Sequence, residues 1–297
     1  MVRNGGRNSA GVCDAQWMGM TNQDTNSNSI YDDANHVMDY VTYWQPRLRR
    51  LTNECLDRLE DLASVAGCSV VDLGAGAGGT TAELLTRGTD HVVAVEPAPL
   101  MRSRIAPHEL LDASGTSLPL GRSQLAEWPG AFDICTLHFV VHAIASGLHQ
   151  ELFRQAWSML RPGGFLSCAA CRRDGPSSDC EDQIMAVIDE YSGDPDDGPF
   201  DSESAPDLLG LCEDFEIVHS SSKCTETRWD QSDLIMWQTR IMVDDDELDE
   251  IRQRCKRQVR CDEAQSIGNE SFSAAPGSST KPARSGPILE TQMNSAC

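Results

Sequence analysis

The stretch VVDLGAGAGG, residues 70–79, joins a run of apolar and β-branched residues to a turn of glycines through a single acid. Gly74, Gly76 and Gly79 keep the G-x-G-x-x-G spacing. Such a turn lets backbone approach a ligand closely and offers it the amides of a helix N-terminus. Several nucleoside sites share this turn, so its neighbours decide which ligand it suits. Asp72 stands two residues before Gly74, at the end of the predicted strand. An acid there repels the pyrophosphate of a dinucleotide and favours a ligand that bears an ammonium or sulfonium and no phosphate.

The hydrophobic period changes on both sides of this turn. Upstream, Leu48, Leu51, Cys55, Leu59 and Leu62 recur at helical spacing in PRLRRLTNECLDRLEDLASVAG, opened by Pro46 and closed by Gly67. Downstream, GGTTAELLTRG reads as a helix, HVVAVEP as a strand, APLMRSRI as a helix, HELLDASGTSLPL as a short strand and loop, and AFDICTLHF as a strand. LHQELFRQAWSMLRPGG is a helix with a Pro-Gly-Gly exit into the strand FLSCAA. Strands alternating with helices at this spacing predict an α/β fold: a doubly wound, mostly parallel sheet with helices on both faces. Its ligand belongs at the carboxyl ends of the strands, beside the first one.

The later half is less regular. DCEDQIMAVIDEY reads as a helix, residues 194–207 as an acidic, solvated loop, DFEIVHSSS as a strand, and DQSDLIMWQTRIMV and DDELDEIRQRCKRQV as two helices. A seventh strand is either KCTETRW or missing. Both ends are rich in Asn, Gly, Ser, Thr and Pro, too polar to bury the surface that would offset the entropy of ordering them. The predicted organisation is a disordered N-terminal segment 1–29, one domain over 30–261 and a disordered C-terminal tail 262–297. Within the domain, 68–170 is the cofactor-binding core, 30–66 an N-terminal helical lid and 178–261 a set of substrate-side helices.

A net charge of −22, from 24 basic and 46 acidic residues, argues against nucleic acid and against an anionic membrane surface as partners. The 12 cysteines are scattered and several lie in apolar runs, as Cys135 does in FDICTL. With no signal-peptide pattern and no apolar run long enough to span a bilayer, the chain reads as soluble, cytoplasmic and mostly reduced. Cys168-x-x-Cys171 has no second pair at zinc spacing, so no metal site is expected.

S-adenosylmethionine carries both an ammonium and a sulfonium. Glu96 ends the second strand in VVAVEP, where an acid can take two ribose hydroxyls. VVDLGAGAGGTTAELL, VVAVEP, LLDASGTSLPL, FDICTLHFVVHAI and LRPGGFL, in this order, resemble the successive motifs of class I S-adenosylmethionine-dependent methyltransferases, which have a Rossmann-like fold. The resemblance covers roughly residues 68 to 170. It implies that Asp72, Gly74, Ala75 and Gly76 hold the methionine moiety and that Glu96 holds the ribose. It further implies that Asp112 and Ala113 meet the adenine, and that Thr136 and Leu137 line the reactive side.

TLHF after the fourth strand disfavours the branch that methylates adenine or glutamine nitrogens, which carries an Asn/Asp-Pro-Pro-aromatic run there. FDICTLHFVVHAI resembles instead the small-molecule branch (methyltransferase type 11/25-like), whose usual His falls on His142. TRWDQSDLIMWQTR, residues 227–240, is similar to the Trp-containing segment of trans-aconitate-type methyltransferases. The expected activity is methyl transfer to oxygen, nitrogen or sulfur of a small molecule by in-line displacement, with His138 and His142 as candidate bases. Tyr31, Tyr40, Tyr43 and Trp44 are candidates for a lid over the site. A protein methyltransferase and a non-catalytic S-adenosylmethionine-binding module are the alternatives. An NAD-linked oxidoreductase would share the glycines and Glu96 but would leave Asp72 and LRPGG without a reason.

Overall fold

The computed structural model describes residues 30–116, 118–121, 127–172, 179–192, 208–212, 215–223, 226–242, 247–260, 264–267 and 287–294. Segment 1–29 and loop 194–207, on which two of the expectations fall, lie outside the described residues. The strands are β1 (Ser69–Leu73), β2 (His91–Val95), β3 (Leu111–Ser114), β4 (Phe132–His138), β5 (Leu160–Arg172), β6 (Glu216–Lys223), β7 (Glu226–Trp229), β8 (Ala264–Ile267) and β9 (Pro287–Asn294). The helices with α geometry are α1 (Ala34–Asp39), α2 (Gln45–Glu60), α3 (Gly79–Thr86), α4 (Pro99–Arg102), α5 (His149–Met159), α6 (Asp179–Ser192), α7 (Leu208–Leu211), α8 (Gln231–Met242) and α9 (Leu248–Gln258).

Seven strands make one sheet in the order β3-β2-β1-β4-β5-β9-β6. Every pair in it is parallel, so the sheet is the doubly wound one expected. The chain runs outward from β1 to β2 and β3, then returns to place β4 on the other side of β1. That reversal opens the crevice at the carboxyl ends of β1 and β4. Because both faces are covered, β1 and β2 are buried along almost their whole length, which accounts for their unbroken apolar runs.

One face packs Val71, Leu73, Val93, Val95, Cys135 and Leu137 against Leu152, Phe153, Ala156 and Met159 of α5. The opposite face packs Val70, Val92 and Ile134 against Leu56 and Leu59 of α2 and Leu84 of α3. A third cluster joins Trp44 and Leu48 of the N-terminal region to Ile184 and Ile188 of α6, Leu234 and Trp237 of α8, and Ile251 of α9. The N-terminal and C-terminal helices therefore share one core.

Two expectations fail at the far edge. KCTETRW does not supply a strand of the main sheet: Glu226–Trp229 pairs antiparallel with Ala264–Ile267 in a separate two-stranded ribbon. The tail 262–297 is not disordered throughout either, since Pro287–Asn294 lies between β5 and β6 and pairs with both. PILETQMN has too little apolar content to announce itself. Its place is fixed by backbone ladders on both sides, which a sequence pattern does not carry. The cysteines divide as well: Cys55, Cys68, Cys135, Cys168, Cys212 and Cys255 are reduced, whereas Cys180 is disulfide-bonded.

Between α1 and α2 the chain winds as a π-helix over Tyr40–Trp44, a wider turn that places Tyr40 and Trp44 on the sheet side. Asp39, just before it, accepts from Arg240 Nε of α8 at 2.9 Å and from Arg252 Nη2 of α9 at 3.2 Å. All three side chains are less than a fifth exposed, so breaking the group strands buried charge. Asp39→Ala should therefore cost about 3 kcal/mol, as buried pairs do when one partner is removed. Urea unfolding that shows a loss well under 1 kcal/mol would make this contact a surface pair in effect.

Candidate cofactor and active site

The glycine turn after β1 is shaped by close approach. Gly74 has φ of +73°, and a Cβ on it would lie 2.1 Å from Val140 Cγ2, so a side chain is excluded on both counts. The N–H groups of Gly74 and Ala75 both donate to Val95 O, at 2.8 and 3.0 Å, which ties the turn to the end of β2. Gly78, with φ of +85°, then caps α3 from a left-handed conformation.

Asp72, one residue before the end of β1, is 1% exposed. Thr81 Oγ1, from the first turns of α3, donates to its Oδ2 at 2.7 Å, and Thr136 Oγ1, from β4, donates to its Oδ1 at 2.7 Å. Thr136 is opposite Asp72 in the register of β1 and β4, so the sheet itself sets that bond. Burial raises the Asp72 pKa, and the bonds from Thr136 and Thr81 oppose the rise. Sequence reading missed Thr81. Its signal was available: it lies nine residues after Asp72, inside the helix that the glycine turn begins.

Glu96 is 8% exposed and bridges two loops. Its Oε2 accepts the Gly76 N–H at 2.7 Å and its Oε1 accepts the Ala98 N–H at 2.8 Å. Burial raises its pKa, the two amides lower it, Asp72 raises it and the Arg102 guanidinium lowers it. Each oxygen keeps further acceptor capacity toward the crevice. The structure thus brings Asp72 together with Thr136, and Glu96 with Gly76.

Other expected residues fall elsewhere. Asp112 is two residues short of the end of β3, its side chain 78% exposed and 2.9 Å from His91 Nε2. It does not reach the carboxyl edge, because the strand continues past it to Ser114. Ala113 is exposed on the same edge strand. Leu137 is buried in the core against α5, so only its backbone borders the crevice.

His138 ends β4, 6% exposed, with Nε2 at 2.8 Å from Ser167 Oγ and Nδ1 without a partner. Burial pushes its pKa down to about 3, so the imidazole is neutral at physiological pH. Phe139 follows at φ +59°, an uncommon conformation for a bulky residue and a mark of a constrained strand end. His142 lies in the short turn Val141–Ala143, and its side chain is outside the described residues.

The lid candidates lie above these groups. Tyr31, Tyr40 and Val37 pack with Ala77, Ala98 and Met101, and the Tyr40 hydroxyl is 3.9 Å from where a Cβ on Gly76 would be. Trp44 stacks on Trp237 with ring centroids 5.3 Å apart and planes 2° from parallel, and Tyr40 meets the same indole at 6.2 Å. Phe139 and Tyr43 pack against this cluster. Among the described residues, no group of three His, Cys, Asp or Glu could hold a metal ion.

The buried acids carry a pH signature. A carboxyl whose folded pKa is raised holds its proton more tightly in the folded than in the unfolded chain. Its stabilising effect is full below the ordinary carboxylate range and is lost as pH rises through the folded value. Asp72→Asn removes that titration, so its melting temperature relative to wild type should climb as pH rises above the ordinary carboxylate range. A difference that stays constant over that rise in a calorimetric series would mean that Asp72 titrates normally.

Residues 70–164 match the model of a family described as a methyltransferase domain. No curated protein matches the chain. Among solved structures, an S-adenosylmethionine-dependent methyltransferase from Mesorhizobium loti aligns at 20% identity and a TM-score of 0.31, over 41% of this chain and 59% of that one. A S-adenosylmethionine-dependent methyltransferase from Leishmania major aligns at 16% identity and 0.36, over 46% and 59%. A putative methyltransferase from Bacillus halodurans aligns at 18% identity and 0.44, over 73% of this chain and 97% of that one. The chain thus spans 59% of the length of each of the first two structures. Over residues 70–164, on the doubly wound sheet described above, the chain is thus similar to a methyltransferase domain.

Proposed function

We propose that the chain is an S-adenosylmethionine-dependent methyltransferase that acts on a small-molecule acceptor. The observation that carries this reading is the pairing of two buried acids, Asp72 and Glu96, around the glycine turn at the switch point of the sheet. Such a crevice opposes a pyrophosphate and favours a nucleoside that carries positive charge. Glu96, already fixed by the Gly76 and Ala98 amides, has acceptor capacity left for two ribose hydroxyls. Asp72, held rigid by two threonines, supplies negative potential near the methionine ammonium. The backbone of Gly74, Ala75 and Gly76 closes on the ligand, and the Leu137 backbone borders its reactive side.

The cofactor supplies an electrophilic methyl on a sulfonium. With the cofactor held by Glu96 and the Gly74–Gly76 backbone, that methyl would be available for in-line transfer to an oxygen, nitrogen or sulfur of the acceptor. Alignment in a dry pocket supplies much of the rate. An imidazole with a pKa near 3 keeps a proton poorly, so His138, bonded to Ser167 Oγ, positions the end of β4 more than it stores a proton. His142 is the second candidate from the following turn.

Ala169 of β5 lies opposite His138 and belongs to the cluster that contains Trp44 and Trp237, so rings roof this end of the crevice. A ring-lined roof closed by the lid favours a small acceptor over an extended chain. The charge of −22 favours neither nucleic acid nor a membrane surface. No helix among the described residues is long and apolar enough to cross a membrane, and the reading places the enzyme in the cytoplasm.

Labelled S-adenosylmethionine, incubated with the protein and a cell extract, tests the reading. Label should enter the small-molecule fraction and should disappear with Glu96→Ala, whose affinity for S-adenosylhomocysteine should fall about tenfold or more. Label in protein would replace the acceptor class with a polypeptide. Tight cofactor binding without label anywhere would leave a binding module, and displacement of S-adenosylhomocysteine by NADH would overturn the cofactor assignment.

A further inference from the structure

Arg102 is the last residue of α4, six residues after Glu96. Its Nη1 donates to Glu96 O at 2.7 Å and to Pro97 O at 3.1 Å, so the guanidinium is tied to the turn that presents the ribose acid. On its other side lies Gly115, the first residue beyond β3. A Cβ on Gly115 would be 2.6 Å from Nη1, 2.7 Å from Cζ and 2.9 Å from Nη2. These near-equal distances lay the face of the guanidinium against the glycine. Gly115 has no positive φ, and a Cβ there would displace the guanidinium, the movable end of the Arg102 side chain.

The same corner is where the base of a nucleoside belongs, outside the carboxyl ends of β2 and β3 and next to the ribose acid. The acid expected there, Asp112, is turned onto His91. The described residues instead place a flat cation at this corner, fixed by two carbonyls through Nη1. Resting on the cofactor site proposed above, we propose that Arg102 holds the purine by the face of its guanidinium, with Gly115 as the seat that lets it lie flat.

Two consequences separate this from a merely structural arginine. A guanidinium only donates, so it cannot accept the 6-amino group of adenine. Its grip on a ring face does not depend on that substituent. Replacing the amino group by a 6-oxo group should therefore change affinity little. Charge alone is also insufficient, because an ammonium has no planar face to lay on the base.

Calorimetric titration of the full chain with S-adenosylhomocysteine and with S-inosylhomocysteine tests the proposal. Wild type should bind the two within about threefold of each other. Arg102→Met should weaken both by about fivefold to thirtyfold, and Arg102→Lys should not restore binding. Gly115→Ala, at an exposed position, should reproduce the loss at an unchanged melting temperature, and it carries the test if Arg102→Met does not fold. Rejection of S-inosylhomocysteine by about a hundredfold or more, or unchanged affinity in both Arg102→Met and Gly115→Ala, would overturn the proposal. Loss of all binding by wild type would instead overturn the cofactor reading on which it rests.

Discussion

A carboxylate with almost no access to water, held between two hydroxyls, organises the site. Asp72 bonds Thr81 on the helix that follows it and Thr136 on the strand beside it, both at 2.7 Å. An unpaired carboxylate in that position would be costly, so the two bonds fix the start of α3 and the register of β1 with β4 together. The glycine turn between them is bound to the end of β2 through Val95 O. From this arrangement follow the crevice, the place of Glu96 at its rim and the orientation of the amides that face it.

Parts far apart in sequence also pack together beside the glycine turn. The π-helical turn carries Tyr40 and Trp44 inward, while Asp39 at its start is gripped by arginines of α8 and α9. This region is thus bound to the C-terminal helices through the Asp39 ionic group, the ring contacts of Trp237 and the Arg47–Asp233 pair at 3.0 Å. A conformational change that opens the site has to move these together, since Trp237 and Arg240 share α8.

Much of this was legible in the chain. Unbroken apolar runs such as VVDLG and VVAVEP announced a sheet covered on both faces, and the glycine spacing located the turn. The acids at 72 and 96 could be placed because each ends a strand. Asp112 was misplaced because a period of two residues tells which face a side chain takes, not how far the strand continues. Thr81 and Arg102 act through contacts across loops, and the strand Pro287–Asn294 is held by ladders to β5 and β6 that leave little trace in its own composition. Backbone pairing at long range is where local pattern runs out.

The central claim is that the two acids and the glycine turn form an S-adenosylmethionine site. A crystal structure of the protein with S-adenosylhomocysteine tests it most directly. The account predicts both ribose hydroxyls on the Glu96 carboxylate, the amino-acid end of the ligand beside the Gly74–Gly76 turn, and Asp72 still bonded to Thr81 and Thr136. A ligand bound away from Glu96, or a crevice that stays closed with the ligand elsewhere, would contradict it.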